Sequence, residues 1–129
     1  MQMNEKKMTR FLKFYMPAIL WASVIFYLSH QPHLQTPNLG FRFADKLAHF
    51  GVYAILGYLI VRAVTRNRPE KIIPRNFFGS AILAVLYGAS DEFHQSFIRG
   101  RACEWSDLIA DALGGIAAVI IFLWINKRK

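Results

Sequence analysis

The sequence predicts an all-α integral membrane bundle of four transmembrane helices with both termini cytoplasmic. Three observations predict it. Of 129 residues 54% are hydrophobic, and the mean hydropathy is positive. The apolar residues collect in four stretches of about 19–21 residues, roughly 11–29, 46–64, 77–97 and 107–125. As a helix, each is long enough to cross a hydrocarbon core of about 30 Å. Basic and acidic residues fall in alternate connecting segments. A soluble bundle would carry a polar residue every third or fourth position, whereas 112–125 has none. The length suits one domain, 1–129.

The net charge of +8 is a topology signal rather than a nucleic-acid footprint. Lys6, Lys7, Arg10 and Lys13 precede the first stretch; Arg62, Arg66, Arg68, Lys71 and Arg75 lie between the second and third; Lys127, Arg128 and Lys129 end the chain. These twelve of the sixteen basic residues share one side of a four-pass chain, and the positive-inside rule makes that side cytoplasmic. No nucleic-acid partner is expected. Six of the eight acids and all four histidines map to the opposite, outer side. The single Cys103 forms no internal disulfide, and no zinc-type cysteine spacing exists. No small-residue cleavage site follows the first stretch, so it is expected to remain as an uncleaved span.

The first span starts in an interfacial segment, Phe11 to Tyr15, and Pro17 sets a helix start or a kink. Pro32 discourages its continuation, and the loop 31–44, with Pro32, Pro37, Asn38 and Gly40, is expected to be irregular. In the second span Asp45, His49 and Tyr53 form a stripe; Asp45 is a candidate N-cap, a reading unavailable to His49 one turn deeper. The third span ends with Asp91, Glu92, His94 and Gln95 inside an arc of about 160°, Phe93 and Phe97 pointing away. Ser80, Ala84 and Gly88 make a small-residue stripe leading to Glu92, the mark of close helix contact in membranes. The fourth span opens at Ser106-Asp107, a candidate cap pair, with Asp107, Asp111, Gly114 or Gly115, and Ala118 on one face.

Asp45-Lys-Leu-Ala-His49 and Asp107-Leu-Ile-Ala-Asp111 share the form D-x-x-A-[H/D]. Each follows a span ending in His-Gln, at His30-Gln31 and His94-Gln95. Two helical hairpins related by a pseudo-two-fold along the membrane normal would produce this; shared capping needs would explain the two aspartates alone.

Taken in order, Ser-His-Gln after the first span, D-K-x-x-H-F-x-x-Y at 45–53, D-E-x-H-Q-x-F at 91–97, Gly100-Arg101 and S-D-x-x-A-D-x-x-G at 106–114 resemble the VanZ-like family. The resemblance runs from about Trp21 to Ile125. It implies a small multi-pass protein of the bacterial cytoplasmic (inner) membrane and a link to glycopeptide resistance, since the founding member gives low-level teicoplanin resistance. The chain departs from the family pattern at Ile98-Arg99-Gly100-Arg101, which adds an arginine, and at Asp111, where many relatives have Asn.

The candidate ligand-binding residues are Lys46, His49, Asp91, Glu92, His94, Gln95, Arg99, Arg101, Asp107 and Asp111, expected around an extracytoplasmic polar pocket. Lys46, Arg99 and Arg101 would hold a phosphate or carboxylate, arginine through its planar fork. The expected partners are membrane lipids and a lipid-linked cell-wall intermediate or lipoglycopeptide. One alternative is a membrane-embedded enzyme using Asp91, Glu92, His49 and Asp111 as acid and base. His49 and His94 with those carboxylates could instead hold a metal, but the spacing matches no strong signature, so neither metal nor cofactor is expected. A second alternative is a structural network in which Asp91 or Glu92 pairs with Arg101 or Arg99 and His49 bonds Asp111. Inserting a carboxylate near mid-span costs on the order of 3 kcal/mol, which weighs against retaining several as glue.

Overall fold

The computed structural model describes residues 4–33 and 40–127. Its elements are α1 (Glu5–Phe14), α2 (Met16–Ser29), α3 (Ala44–Thr65), a single 3₁₀ turn (Pro69–Lys71), α4 (Pro74–Gln95) and α5 (Trp105–Lys127). No strand occurs among the described residues. The middle of the expected irregular loop, 34–39 with Pro37 and Asn38, lies outside them.

The first stretch folds as two helices rather than one. Asn4 caps α1 by accepting the Lys6 N–H at 3.1 Å, and no α1 residue is buried. At Tyr15 the axis bends by 44° into α2. Pro17 is the reason: its ring cannot follow the carbonyl four residues earlier in a continuous helix, but it is tolerated in a first turn, where it stands in α2. The junction is also pinned to α3. Arg66 donates to the Tyr15 hydroxyl from Nε at 3.1 Å and Nη2 at 2.9 Å, and the Arg62 guanidinium lies 5.4 Å from the Phe14 ring centroid.

α3 and α5 are long and apolar enough to cross a membrane, and the bent α1–α2 pair together makes a third such segment. The expectation was four. α4 has 22 residues but carries Arg75 near one end and Asp91 and Glu92 near the other, which lowers its apolar character. Much of the outer surface is hydrocarbon-like: Leu20, Val24, Ile82, Leu86 and Ile121 are all exposed.

Contacts fix the directions of the helices. Tyr15 meets Arg66 and Trp21 donates to the Val52 carbonyl at 3.0 Å, so α2 and α3 run oppositely. Tyr87 donates to the Ala22 carbonyl at 2.5 Å, and His30 meets His94, so α2 and α4 run the same way. His49 meets Asp111, and Gly57 faces Gly115, so α3 and α5 also run the same way.

Glycine sets the α3–α5 approach. A Cβ on Gly57 would lie 2.5 Å from the Gly115 carbonyl oxygen, and one on Gly114 would collide with the Phe50 carbonyl. α4 packs on the same crossing through the stripe expected from sequence. Ser80 and Ala84 have no exposed surface, Gly88 is buried, and a Cβ on Gly115 would sit 2.8 Å from that of Ala84. Small residues let backbones approach and multiply dispersion contacts where lipid supplies no hydrophobic drive. Ile25, Tyr53 and Leu56 form one cluster of the core, and Val61, Val119 and Phe122 a second.

Candidate functional site

The C-terminal ends of α2 and α4 and the N-terminal ends of α3 and α5 converge on two adjoining polar nodes. The α4 helix terminates with Asp91, Glu92 and Gln95 turned inward and buried, while Phe93 and Phe97 are exposed. Consecutive residues 100° apart explain the division: Asp91 faces α2 and α3, and Glu92 faces α3 and α5.

One oxygen of Asp91 collects three donors. Its Oδ2 accepts from the Ser29 hydroxyl and the Tyr53 hydroxyl, each at 2.8 Å, and from Gln95 Nε2 at 3.2 Å. Gln95 Nε2 also lies 3.2 Å from Ser29 Oγ. Three neutral donors thus satisfy this oxygen without a cation. Gly88, one turn earlier on α4, makes room for it: a Cβ there would stand 3.2 Å from the Tyr53 ring and 3.1 Å from Asp111 Cβ.

The second node gathers His49, Glu92, Asp107 and Asp111, and it is not saturated. His49 Nδ1 is 2.8 Å from Asp111 Oδ1 and 4.0 Å from Glu92 Oε1, and His49 Nε2 is 3.7 Å from Asp107 Oδ2. The Glu104 backbone N–H approaches Glu92 Oε2 at 3.4 Å. Glu92 Oε1 and Asp111 Oδ2 are buried with no hydrogen-bond partner among the described residues.

Lys46 closes the rim. Its ammonium contacts Asp45 at 2.8 Å, Glu104 at 2.7 Å and Asp107 more closely still. That contact holds the Glu104 carboxyl below the usual carboxylate range. Three carboxylates thus surround Lys46, expected from sequence to hold a ligand anion.

Arg101 departs further from expectation. It pairs with neither Asp91 nor Glu92. Its Nη2 donates to the Leu28 carbonyl at 2.7 Å and its Nε to the Gln31 carbonyl at 3.2 Å, so it caps the C-terminus of α2. A guanidinium suits this position, where the last carbonyls of a helix lack partners and the dipole is negative. The turn that aims it depends on Gly100, whose φ of 76° favours glycine. A Cβ at Gly100 would also run into the His33 ring. Arg99 is exposed. His94 stacks against both Phe26 and His30, with ring centroids 4.9 and 5.4 Å away, on the α2 side of the site.

Two capping expectations are also corrected. α3 begins at Ala44 with Phe43 before it, so Asp45 lies within the first turn and serves Lys46. α5 begins at Trp105, so Ser106 and Asp107 are inside its first turn, and the Ser106 hydroxyl donates to Glu104 Oε2 at 3.3 Å. Four participants were absent from the candidate set: Ser29, Asp45, Tyr53 and Glu104. The first three had a signal, in the Ser-His-Gln run and in the Asp45–His49–Tyr53 stripe. Glu104 had none.

The VanZ/LLP1 family profile matches residues 14–126, nearly the whole chain. The chain belongs to the VanZ-like family. No curated protein and no solved structure matches it. Both polar nodes and the α2-capping arginine fall within the matched residues, as do the two apolar helices that can cross a membrane.

Proposed function

We propose that this VanZ-like protein crosses the bacterial cytoplasmic membrane four times, with both termini inside, and that its outer polar end recognises a cell-envelope lipid or lipid-linked ligand. Support for the fourth crossing comes from direction and length. α4 runs with α2 and against α3 and α5, and its 22 residues rise about 33 Å at 1.5 Å each. Its two acids lie at the outer end, against α2, α3 and α5 rather than lipid. The basic segments before α2, between α3 and α4, and after α5 then share the cytoplasmic side. Equivalent residues of the two hairpins meeting in pairs, His30 with His94 and His49 with Asp111, supports the reading of two related halves.

The observation that carries the recognition reading is the unfinished second node. Two buried carboxylate oxygens without partners, at a bundle end surrounded by lipid-facing aromatics, are costly unless something completes them. Phe97 and Trp105 stand on the rim, 71% and 81% exposed, where an amphiphile's upper chain would lie. Arg99 is the rim cation available to a phosphate or carboxylate. A lipid-linked cell-wall intermediate or a lipoglycopeptide combines these features, which connects the reading to teicoplanin tolerance.

The test is thermal unfolding of purified protein with a polyprenyl-phosphate-linked saccharide, the same polyprenyl phosphate without sugar, or phosphatidylglycerol. The linked saccharide should stabilise the wild type in proportion to the logarithm of its concentration, and Arg99→Ala should weaken that response. Equal responses to all three lipids would overturn recognition in favour of ordinary solvation by lipid.

A further inference from the structure

The geometry points to a divalent metal site at the outer end of the bundle, formed by His49, Glu92 and Asp111 and taking a zinc- or manganese-type ion. The inference deepens the recognition reading by naming what completes the unfinished node. It rests on the same premise of unpartnered acceptors, but not on any lipid.

Distance comes first. One ligand atom from each residue lies within 4.8 Å of the other two. Ligands about 2.1 Å from a common ion sit roughly 3.0–4.2 Å from one another in tetrahedral or octahedral sets. His49 Nδ1 stands 2.8 Å from Asp111 Oδ1 and 4.0 Å from Glu92 Oε1, so small side-chain rotations suffice. The three residues come from three helices held by the glycine crossing, which fixes their spacing.

Burial comes second, and it is independent of distance. The Glu92 and Asp111 side chains are 2% and 0% exposed, and each has an oxygen with no hydrogen-bond partner among the described residues. The positive charges nearby are committed elsewhere. Lys46 is shared by Asp45, Glu104 and Asp107, and Arg101 caps α2. Among the described residues, His49 is the basic group that reaches both Glu92 and Asp111. A buried anion pair with one imidazole between them is short of positive charge, and a divalent ion supplies it.

The surroundings of His49 fit a metal ligand as well. With Nδ1 on the ion, Nε2–H points at Asp107 Oδ2, 3.7 Å away, and Lys46 holds that carboxylate. A carboxylate behind an imidazole fixes its tautomer and raises its basicity toward the metal. One nitrogen and two carboxylates favour zinc or manganese over magnesium, which prefers oxygen and water. The second acidic group, Asp45, Glu104 and Asp107, already has Lys46 among its oxygens and needs no ion. Three protein ligands leave open positions at the metal, where an envelope ligand's phosphate could bind.

The experiment strips the full-length, detergent-purified protein with EDTA and desalts it. Zinc, manganese or magnesium chloride is then added, and bound metal and thermal unfolding are measured. One zinc or manganese per chain should bind, with stabilisation rising with the logarithm of metal concentration, and magnesium at the same concentration should not. Glu92→Gln and Asp111→Asn should each abolish uptake, while the metal-free melting temperature stays level or rises because repulsion is relieved. Asp107→Asn, a positioning change, should keep the stoichiometry and weaken affinity about 10–100-fold. Glu70→Gln, in the 3₁₀ turn at the other end of α3, should bind as wild type. Substoichiometric uptake, an equal magnesium response, or uptake that survives Glu92→Gln and Asp111→Asn would overturn the site. Should those variants fail to fold, X-ray absorption of the zinc-loaded wild type decides: one imidazole with oxygen ligands supports the site, and sulfur from Cys103 or an all-oxygen shell refutes it. Uptake by lipid-free protein judges the metal site, and lipid stabilisation of the EDTA-stripped protein judges recognition, so the two can fail separately.

Discussion

His49 Nδ1 meets Asp111 Oδ1 at 2.8 Å across 62 positions of sequence, and the two residues hold the same place in their D-x-x-A-[H/D] segments. A two-fold axis between α3 and α5 would bring such equivalent positions face to face, and His30 and His94 meet in the same way. Exchange of partners tests the relation. His49→Asp alone sets a third carboxylate among Glu92 and Asp111, and breaking a buried pair this way should cost about 3–5 kcal/mol. The double variant His49→Asp/Asp111→His should regain more than half of that in chemical or thermal unfolding. A double variant no more stable than His49→Asp would sink the two-fold reading.

Tyr53 and Ser29 should prove structural. Each hydroxyl donates to Asp91 inside the bundle, so Tyr53→Phe or Ser29→Ala leaves the carboxylate short of a donor. A loss of about 1–3 kcal/mol is expected for each. The two should be non-additive, since they share one acceptor oxygen. Full additivity would show that Asp91 finds substitute donors from water.

Glycine substitutions should split by position. A Cβ at Gly57 would lie 2.5 Å from the Gly115 carbonyl oxygen, which is backbone and cannot swing aside. Gly57→Ala should therefore force α3 and α5 apart and destabilise the protein, while shifting helix crosslinks engineered along that seam. At Gly51 and Gly79 a Cβ meets nothing within 4 Å, and alanine there should stabilise by about 0.5–1 kcal/mol through helix propensity. A neutral Gly57→Ala would remove the close crossing.

Arg101 separates what sequence could reveal from what it could not. Helices, the inward polar arc of α4 and the Ser80–Ala84–Gly88 stripe are periodic features, and periodicity is written in the chain. The α1–α2 break was legible through Pro17. The course of residues 96–104 was not, because a loop has no period. Its turn at Gly100 sends Arg101 to α2 carbonyls instead of the nearby acids, and it delivers Glu104 to Lys46. The helix starts also slipped by one or two residues, since a capping aspartate and a first-turn aspartate look alike in sequence. Arg101→Ala should accordingly loosen the C-terminal end of α2, raising hydrogen exchange at Leu28 to Gln31. Glu92→Gln should not restore it. Rescue by Glu92→Gln would instead place Arg101 in an ion pair with that carboxylate.

Orientation in the membrane can be read from Cys103, the single cysteine, which is exposed on the segment between α4 and α5. With the basic segments inside, this thiol lies outside. A membrane-impermeant maleimide should label it in intact spheroplasts, and lysis should add little. Labelling only after lysis would invert the proposed topology. The rate carries a second signature. Desolvation first, and then the Glu92 carboxylate, push the Cys103 thiol above its ordinary range. The reactive species is the thiolate, so labelling should be slow at neutral pH and should keep accelerating above the usual thiol range of about 8–9. Glu92→Gln removes the negative charge and should shift this profile toward lower pH. An unshifted profile would mean that the loop does not hold Cys103 against the site.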